Sequence, residues 1–389
     1  MKPELLRQLD GYDDVIRDIE VCRKYGVDYA LQKGRVAAYV DRYHPARLTL
    51  QVIGVNDETP TTKTFRLASA DRALPPFQAG QYIALFFELD HVRTGRAYSI
   101  SSPPHNTGHY EITVRRVPDG LISTCLHDTI KIGDTIETSG PAGNFHHNPV
   151  FHDNALVFLA GGCGIAPFMS MIRETVERGL DRTIHLFYGS RRADDVIFHE
   201  ELARIASRFE NLHYVPVIEE KGGSLRPAYP CRNGLIAGDL VQHELGDVAG
   251  ETFYMCGPSA MYDFCGQELE KLGIPRRKIR RELYGPPRTV SECPGWPDRV
   301  NEETTFQVTV NGRKTIPARA GDPLLNALEI AGVAVPSLCR SGECSLCRIR
   351  LLSGAVFQPD GVLLRASDRR FGYIHSCAAY PLEDLEVCL

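Results

Sequence analysis

The sequence predicts a multidomain protein: a small antiparallel β-barrel, an α/β domain on a parallel sheet, and a C-terminal domain carrying a cysteine loop. Three observations carry that reading. Between about residues 45 and 148, short β-rich segments are separated by turn residues at close intervals, as in small barrels. From 149 to 285, apolar strands alternate with helical stretches, the pattern of a doubly wound sheet. Beyond 304, Cys339, Cys344 and Cys347 stand at C-x4-C-x2-C spacing, and Cys377 follows 30 positions later.

Composition sets the outer bounds. A chain of 389 residues has room for two or three domains, each with its own core. Its 43% hydrophobic and 24% charged residues are ordinary for a globular protein. The net charge of −5 gives no hint of a nucleic-acid surface. Of twelve cysteines, four form the C-terminal set and the others are scattered without a framework. Met1-Lys2-Pro3-Glu4 leads into a charged, amphipathic segment rather than an apolar leader. No apolar run approaches the roughly eighteen residues of a membrane span. The expectation is a cytoplasmic chain with reduced thiols.

Residues 1–44 form a preface. Val15, Ile16, Ile19 and Cys22 fall at helical spacing with charges between them, and Gly26 is a plausible stop. A helix packed on the body of the protein is the plain reading. An oligomer contact or a partner-docking helix is the sharper one.

In the barrel region, Leu48–Ile53, Thr62–Leu67, Tyr82–Phe87, Tyr110–Val114 and Asp134–Thr138 read as strands. Arg96-Ala97-Tyr98-Ser99-Ile100-Ser101-Ser102-Pro103 closes one segment. An arginine fork, an aromatic face and a hydroxyl at this spacing can hold a phosphate, a ring face and a ring nitrogen together. Taken alone, the stretch is equally a surface strand with a structural tyrosine.

In the α/β region, the buried strand Ala155–Ala160 runs into Gly161-Gly162-Cys163-Gly164-Ile165-Ala166-Pro167, and a helix is expected over about 166–178. Glycines at such a join let a pyrophosphate approach the backbone and the helix N-terminus. It is not the G-x-G-x-x-G fingerprint, and a ligand-free tight turn stays open. Further strands are expected at Thr183–Tyr188, His213–Ile218 and Thr252–Met255. Tyr254-Met255-Cys256-Gly257-Pro258 ends the last of them and opens the backbone at the carboxyl edge of the sheet. A buried cysteine before a helix is the plain alternative there. Residues 286–303, with Pro286, Pro287, Pro294 and Pro297, have linker composition.

The last domain opens on a hairpin signal, Thr305–Val310, Asn311-Gly312, Lys314–Ile316. Its cysteines match the plant-type ligand pattern of a [2Fe–2S] cluster, with Cys339, Cys344, Cys347 and Cys377 as the four thiolates. Gly342 lets that loop wrap closely. Structural zinc is the alternative, but zinc sites usually bring two C-x2-C clips, and only one is present.

Taken in order, these motifs resemble the ferredoxin–NADP reductase superfamily, over about residues 46–389. The resemblance is to its three-part branch of flavin barrel, nicotinamide domain and C-terminal β-grasp ferredoxin domain, typified by reductase components of oxygenase systems. It implies that Arg96 meets the flavin phosphate, Tyr98 lies against the isoalloxazine, and Ser99 approaches N5. Gly120 and Ser123, in Gly120–Thr124, are similar to the second phosphate-binding turn, and Gly140–Phe145 resembles the segment that closes the barrel. Gly161, Gly162, Gly164, Pro167, Gly257 and Pro258 then bind nicotinamide, with Cys256 beside its C4. Arg281–Gly285 resembles the end of the nicotinamide domain, with Glu282 in the motif and Tyr284 covering the flavin.

The barrel segment 109–128 is closer to FAD-binding members than to FMN-binding ones. Arg191 stands where a 2′-phosphate of NADPH would sit, so NADH and NADPH both stay open, NADH slightly ahead; for Arg192 solvated surface charge is the alternative. The implied activity is that of an NAD(P)H oxidoreductase passing electrons through flavin and cluster to an acceptor protein such as a terminal oxygenase. An anaerobic metalloenzyme or a corrinoid protein is an alternative acceptor, and a redox-sensing subunit without turnover is the alternative class. Leu346 and Arg340, beside the ligands, are expected to face the acceptor.

Overall fold

The structure is a computed structural model that describes residues 11–26, 34–43, 45–89, 91–220, 223–248, 250–283, 285–287 and 289–389. It divides into two compact units, Met1–Ala46 and Arg47–Leu389.

The first unit contains α1 (Tyr12–Lys24) and α2 (Arg35–Tyr43). Asp13 and Asp14 open α1, and Arg23 and Lys24 close it, so its end charges complement the helix dipole. Gly26 follows with φ +78°, in keeping with the expected stop. No residue of α1 is buried, and α2 exposes Val36, Tyr39 and Val40.

In the second unit the chain first forms β1 (Leu48–Thr59), β2 (Thr62–Ala68), β3 (Tyr82–Leu89), β4 (Val92–Ser99), β5 (Tyr110–Arg115), α3 (Leu121–Asp128) and β6 (Thr135–Thr138). The strands pair antiparallel in the order β4-β3-β6-β1-β2-β5. An Ile100–Ile112 bridge and a Ser101 N–H donating to Glu111 O at 2.7 Å join the two ends of the sheet. Leu48, Leu50 and Val52 of β1 are buried while the residues between them are exposed, the alternation of a one-sided strand. β1 runs past the expected Ile53 because Gly54–Thr59 pair with β2 in one long hairpin.

Next come β7 (Ala155–Gly161), α4 (Ile165–Glu177), β8 (Thr183–Ser190), α5 (His199–Ala206), β9 (Leu212–Ile218), β10 (Arg232–Asn233), α6 (Gly238–Leu245), β11 (Thr252–Cys256), α7 (Ser259–Lys271) and β12 (Ile279–Glu282). All six strands are parallel, ordered β10-β9-β8-β7-β11-β12. Along β7, Leu156, Phe158 and Ala160 enter one apolar cluster while Val157 and Leu159 enter another. Successive side chains point to opposite faces, so helices on both sides cover the strand. The sequence does not signal β12 as a strand. It is an edge strand carrying Arg280 and Arg281, a place that tolerates charge.

Side chains tie this sheet to the barrel. Arg173 on α4 reaches the Glu111 carboxylate at 2.9 Å and Ser101 O at 2.9 Å on the barrel, and Glu201 at 2.6 Å on α5. Phe145 stacks edge-on against Phe168 and Tyr254. Arg280 donates to Asn144 O at 2.6 Å.

The chain closes with β13 (Thr305–Val310), β14 (Lys314–Arg319), α8 (Leu324–Ile330), β15 (Arg348–Ser353), β16 (Val356–Phe357), α9 (Ala366–Arg370), β17 (Tyr373–His375), β18 (Tyr380–Pro381) and β19 (Leu385–Cys388). The main sheet is ordered β14-β13-β19-β15-β17, and β13 and β19 run parallel at its centre. Asn311 and Gly312 both adopt positive φ, as the hairpin signal requires. The proline-rich stretch before β13 is not a loose spacer. Val290, Cys293 and Trp296 pack against Phe357 and Tyr380, and Trp296 Nε1 donates to Val300 O at 3.0 Å. No helix among the described residues is long and apolar enough to cross a membrane.

Candidate functional site

The candidate site draws on the end of β4, two turns of the parallel sheet and the cysteine loop. Ser99 closes that strand, is 3% exposed, and stands opposite Tyr82 on β3. Tyr98 packs against the barrel core, where burial pushes its phenol up and the Arg96 charge opposes that shift. Arg96 donates to Thr94 Oγ1 at 2.7 Å and to Gly95 O at 2.8 Å. Burial, then Arg340, pulls the Arg96 guanidinium down to about 10.

The glycine turn leaves β7 as a single 3₁₀ turn, Gly162–Gly164, and runs straight into α4, with Pro167 buried in its first turn. A Cβ on Gly164 would stand 2.1 Å from Cys256 O. One on Gly161 would meet Met261 Sδ at 2.5 Å and Pro258 Cδ at 2.9 Å, and Gly257 lies against Gly161. Gly161, Gly164 and Gly257 are therefore needed for two turns on neighbouring strands to touch. Gly162 differs: its φ is +51°, and a Cβ there would lie 2.6 Å from Arg115 Nη1. Tyr188 holds the turn by donating to Gly162 O at 2.9 Å. Cys163 Sγ donates to Thr113 O of the barrel at 3.2 Å, and burial pushes its thiol up.

Cys256 is fully buried, and its register partner on β12 is Glu282. Burial, followed by the charges of Glu343 and Cys339, drives the Glu282 carboxyl well above the usual range. Leu283, just past β12, lies 3.7 Å from the Cβ position of Gly361, beside the Val362 that packs on Gly342 of the cysteine loop. Tyr284 lies outside the described residues. Gly120 precedes α3, and Ser123 Oγ accepts from Val117 N–H at 3.1 Å and donates to Gly120 O at 3.3 Å. Arg191 stands apart from this centre, on the surface after β8, paired with Glu220 at 3.0 Å. Arg192 forms a two-point pair with Asp194 at 2.6 and 2.9 Å. Arg192, Asp194, Glu200, Glu201, Glu220 and Arg226 line a cavity of about 940 Å³.

In the cysteine loop, Cys339, Cys347 and Cys377 are almost fully buried. Arg340, Gly342 and Ser345 all have positive φ, which curls the backbone and turns successive N–H groups inward. Ser341 N–H and Cys344 N–H both donate to Cys339 Sγ at 3.4 Å. The Cys344 thiol, then the Cys377 thiol, pulls the Cys339 thiol down, and Cys347 also lies within reach of Cys377. No group of His, Cys, Asp or Glu among the described residues is arranged for a single metal ion. Cys339 interacts with both Cys344 and Cys377, and Cys377 with Cys347, so the four sulfurs converge in one place, as a cluster held by four thiolates requires. The buried Ser341 hydroxyl has no protein partner among the described residues and can donate to a bound sulfide. The donor set fits a [2Fe–2S] cluster. Gly342 is needed because Val362 at 3.1 Å and Ala378 at 3.4 Å crowd its Cβ position.

One expectation is overturned and three residues were missed. Leu346 is 49% exposed, as an acceptor-facing residue should be, but Arg340 is 5% exposed and points into the barrel. The loop curls at Arg340, where the Thr94 hydroxyl on β4 and the Glu329 carboxylate on α8 receive its charge. Tyr82 was not anticipated: it shares a barrel face with Ser99, and burial, followed by the charges of Cys339 and Cys344, pushes its phenol up. Arg115, over Gly162 and paired with Asp195 at 2.8 Å, was also missed. So was His375, whose Nδ1 bonds Gly342 O at 2.8 Å. Only its place directly after the motif strand Tyr110–Val114 could have marked Arg115.

The chain matches three family models: an oxidoreductase FAD-binding domain over residues 49–147, an oxidoreductase NAD-binding domain over 158–267, and a 2Fe-2S iron-sulfur cluster binding domain over 308–382. NADH oxidoreductase HCR of Escherichia coli is 31% identical over 344 residues, covering 86% of this chain and 96% of that protein. The chain belongs to the ferredoxin–NADP reductase superfamily, in its three-domain flavin, NAD(P) and [2Fe–2S] branch. It is an oxidoreductase with FAD-, NAD- and 2Fe-2S-binding domains. The glycine betaine monooxygenase reductase subunit of Pseudomonas aeruginosa is 28% identical, over 88% of this chain and 95% of the relative. Among solved structures, phthalate dioxygenase reductase shares the fold with a TM-score of 0.64 at 24% identity, over 88% of this chain and 98% of that one.

Proposed function

We propose that this oxidoreductase takes hydride from NADH and passes single electrons through its cluster to an acceptor protein, a terminal oxygenase component. A bound flavin accepts the two-electron hydride and releases electrons one at a time to the cluster. The observation that carries this reading is that the glycine turn touches the Cys256–Pro258 turn, while the cysteine loop is bonded through Arg340 to Thr94 on β4, the strand that carries Arg96, Tyr98 and Ser99. Arg96 and the Gly120–Ser123 turn hold flavin phosphates, Tyr98 supports the ring, and Ser99 and Cys256 shape the contact between nicotinamide and flavin. Glu282 lines that contact, while Gly161, Gly162, Gly164, Pro167, Gly257, Pro258 and the missed Arg115 form the nicotinamide pocket. Cys339, Cys344, Cys347 and Cys377 hold the cluster. The paired state of Arg191 and Arg192 and the acidic cavity around them support NADH over NADPH.

Relatives named as monooxygenase reductase components support an oxygenase as acceptor. Exposed Leu346 beside Cys347, with the exposed arginines 348, 350, 365, 369 and 370 around it, forms the acceptor face, and its charge fits an acidic partner surface. The division into 45–148, 149–285 and 304–389, with a segment 286–303 between the last two, belongs to this reading. So does a cytoplasmic location, supported by scattered cysteines whose spacing forms no disulfide framework. Self-association through α1 belongs to it as well, supported by its exposed Val15, Ile16 and Val21. Anaerobic titration with NADH tests the electron path. Flavin bleaching followed by the EPR signal of a reduced [2Fe–2S] centre is expected, and flavin reduction with no cluster signal sinks it.

A further inference from the structure

The cysteine loop and the flavin barrel share one buried hydroxyl. Thr94 Oγ1 on β4 accepts from Arg96 Nη1 at 2.7 Å and from Arg340 Nη2 at 2.8 Å, and donates to Glu329 Oε2 at 2.9 Å. A hydroxyl has one proton and two lone pairs, so all three are used. Arg340 also pairs directly with Glu329 of α8 and donates to Asn326 Oδ1 at 3.2 Å. Arg340 and Glu329 side chains are 6% and 9% exposed. Arg340 adjoins Cys339, and Arg96 lies two residues from Thr94. Two arginines and one carboxylate leave one positive charge in excess, on the side where the flavin phosphate is placed.

We propose that Arg340 is a positioning residue: through Glu329 and Thr94 it locks the cluster loop onto the flavin barrel, and by sharing Thr94 with Arg96 it makes cluster placement depend on the flavin-binding strand. Three features argue against an incidental surface pair. The pair is buried, and a buried charge left without its partner is expensive. Arg340 is held at φ +56°, a conformation a non-glycine residue adopts only where its surroundings impose it. The contacts also cross between domains: Thr94 lies 246 residues from Arg340 and 235 from Glu329. An arginine serves here because its planar fork meets Thr94, Glu329 and Asn326 at once, which a lysine ammonium cannot do with the same geometry.

The electron-transfer part rests on the proposed path; the docking part does not. The test uses the full chain, wild type against Arg340→Ala, Arg340→Lys and Glu329→Gln, the last lying outside the cysteine loop should cluster loading fail in the first. Rapid mixing with NADH separates flavin bleaching from the rise of the cluster signal. In Arg340→Ala and Glu329→Gln, bleaching should stay at the wild-type rate, while cluster reduction should slow about tenfold, equivalent to about 1.4 kcal/mol on the barrier, because electron transfer weakens steeply with the separation that the docking fixes. Arg340→Lys should recover part of the loss. Hydrogen exchange on cofactor-free protein should rise in α8 and β4 of both variants. Wild-type protein whose cluster is never reduced defeats the electron path but leaves the docking claim to the exchange data. Unchanged cluster reduction together with unchanged exchange in folded Arg340→Ala and Glu329→Gln overturns the inference.

Discussion

Arg191 and Arg192 illustrate how a residue's partners decide its meaning. Two adjacent arginines after the second strand of a nucleotide-binding sheet can hold a 2′-phosphate. Here each already faces a carboxylate, Glu220 or Asp194. Glu200 and Glu201 line the same cavity, so a phosphate entering it meets several negative charges. Exposed pairs of this kind are weak, worth about 0–1 kcal/mol, so they do not lock the arginines away. Their effect is on the local field. Replacing Glu220 by Ala removes one carboxylate and frees Arg191. The expected result is a rise of about three- to tenfold in kcat/KM for NADPH, in line with about 1 kcal/mol, and little change for NADH. Steady-state kinetics with both nucleotides checks it, and an unchanged NADH to NADPH ratio would remove Glu220 from the specificity argument.

At the scale of elements, motifs whose chemistry is local were legible in the sequence. The cysteine spacing, the Asn311-Gly312 hairpin and the strand-to-glycine-turn join each sit within about a dozen residues, and their conformations follow from those residues. What escaped was whatever depends on a distant partner. Nothing near Arg340 in sequence announces Thr94, and nothing near Tyr82 announces Cys339. The glycines were legible as a turn but not in their division of labour, since loop-to-loop crowding at Gly161 and Gly164 comes from the Cys256–Pro258 segment.

The proline-rich stretch shows the same limit. Its composition suggests a linker, yet its lone tryptophan makes it part of the last domain's packing. Trp296 stands edge-on to Phe357 and Tyr380, and Val290, in a short 3₁₀ turn, joins them. Trp296→Ala should therefore destabilise that domain by about 3 kcal/mol. Being the sole tryptophan, Trp296 also reports on the domain by itself. Stripping iron with a chelator should shift its emission to the red as the Cys377 segment, three residues before Tyr380, loosens. Emission that stays fixed while the cluster absorbance disappears would show that this packing does not depend on the metal.

At the scale of the molecule, charge is unevenly placed. The chain carries a net −5, but the surface beside the cluster is basic. Leu346, Arg348 and Arg350 are exposed in alternation with buried Cys347 and Ile349, so the first strand after the ligands turns two arginines to solvent on one side. Arg348 spans to Asp368 at 2.8 Å, which draws α9 and its exposed Arg369 and Arg370 onto the same region. Leu363 N–H donates to Gly342 O at 3.0 Å, placing another exposed apolar side chain against the cysteine loop. An apolar spot beside a redox centre, ringed by like charges, steers an oppositely charged partner and then excludes water at the contact. The acceptor should therefore present an acidic face, and surrogate proteins can test that before the acceptor is known. Acidic cytochrome b5 should be reduced faster than basic cytochrome c at about 10 mM salt. Its rate should fall on the order of tenfold as the Debye length shrinks from about 30 Å to about 8 Å. Arg369→Glu combined with Arg370→Glu should lower the low-salt rate for cytochrome b5 and flatten its salt dependence, while ferricyanide reduction with NADH stays unchanged. A cytochrome c rate that falls with salt, alongside a cytochrome b5 rate that climbs, would reverse the sign of the docking surface and rule out an acidic partner at this face.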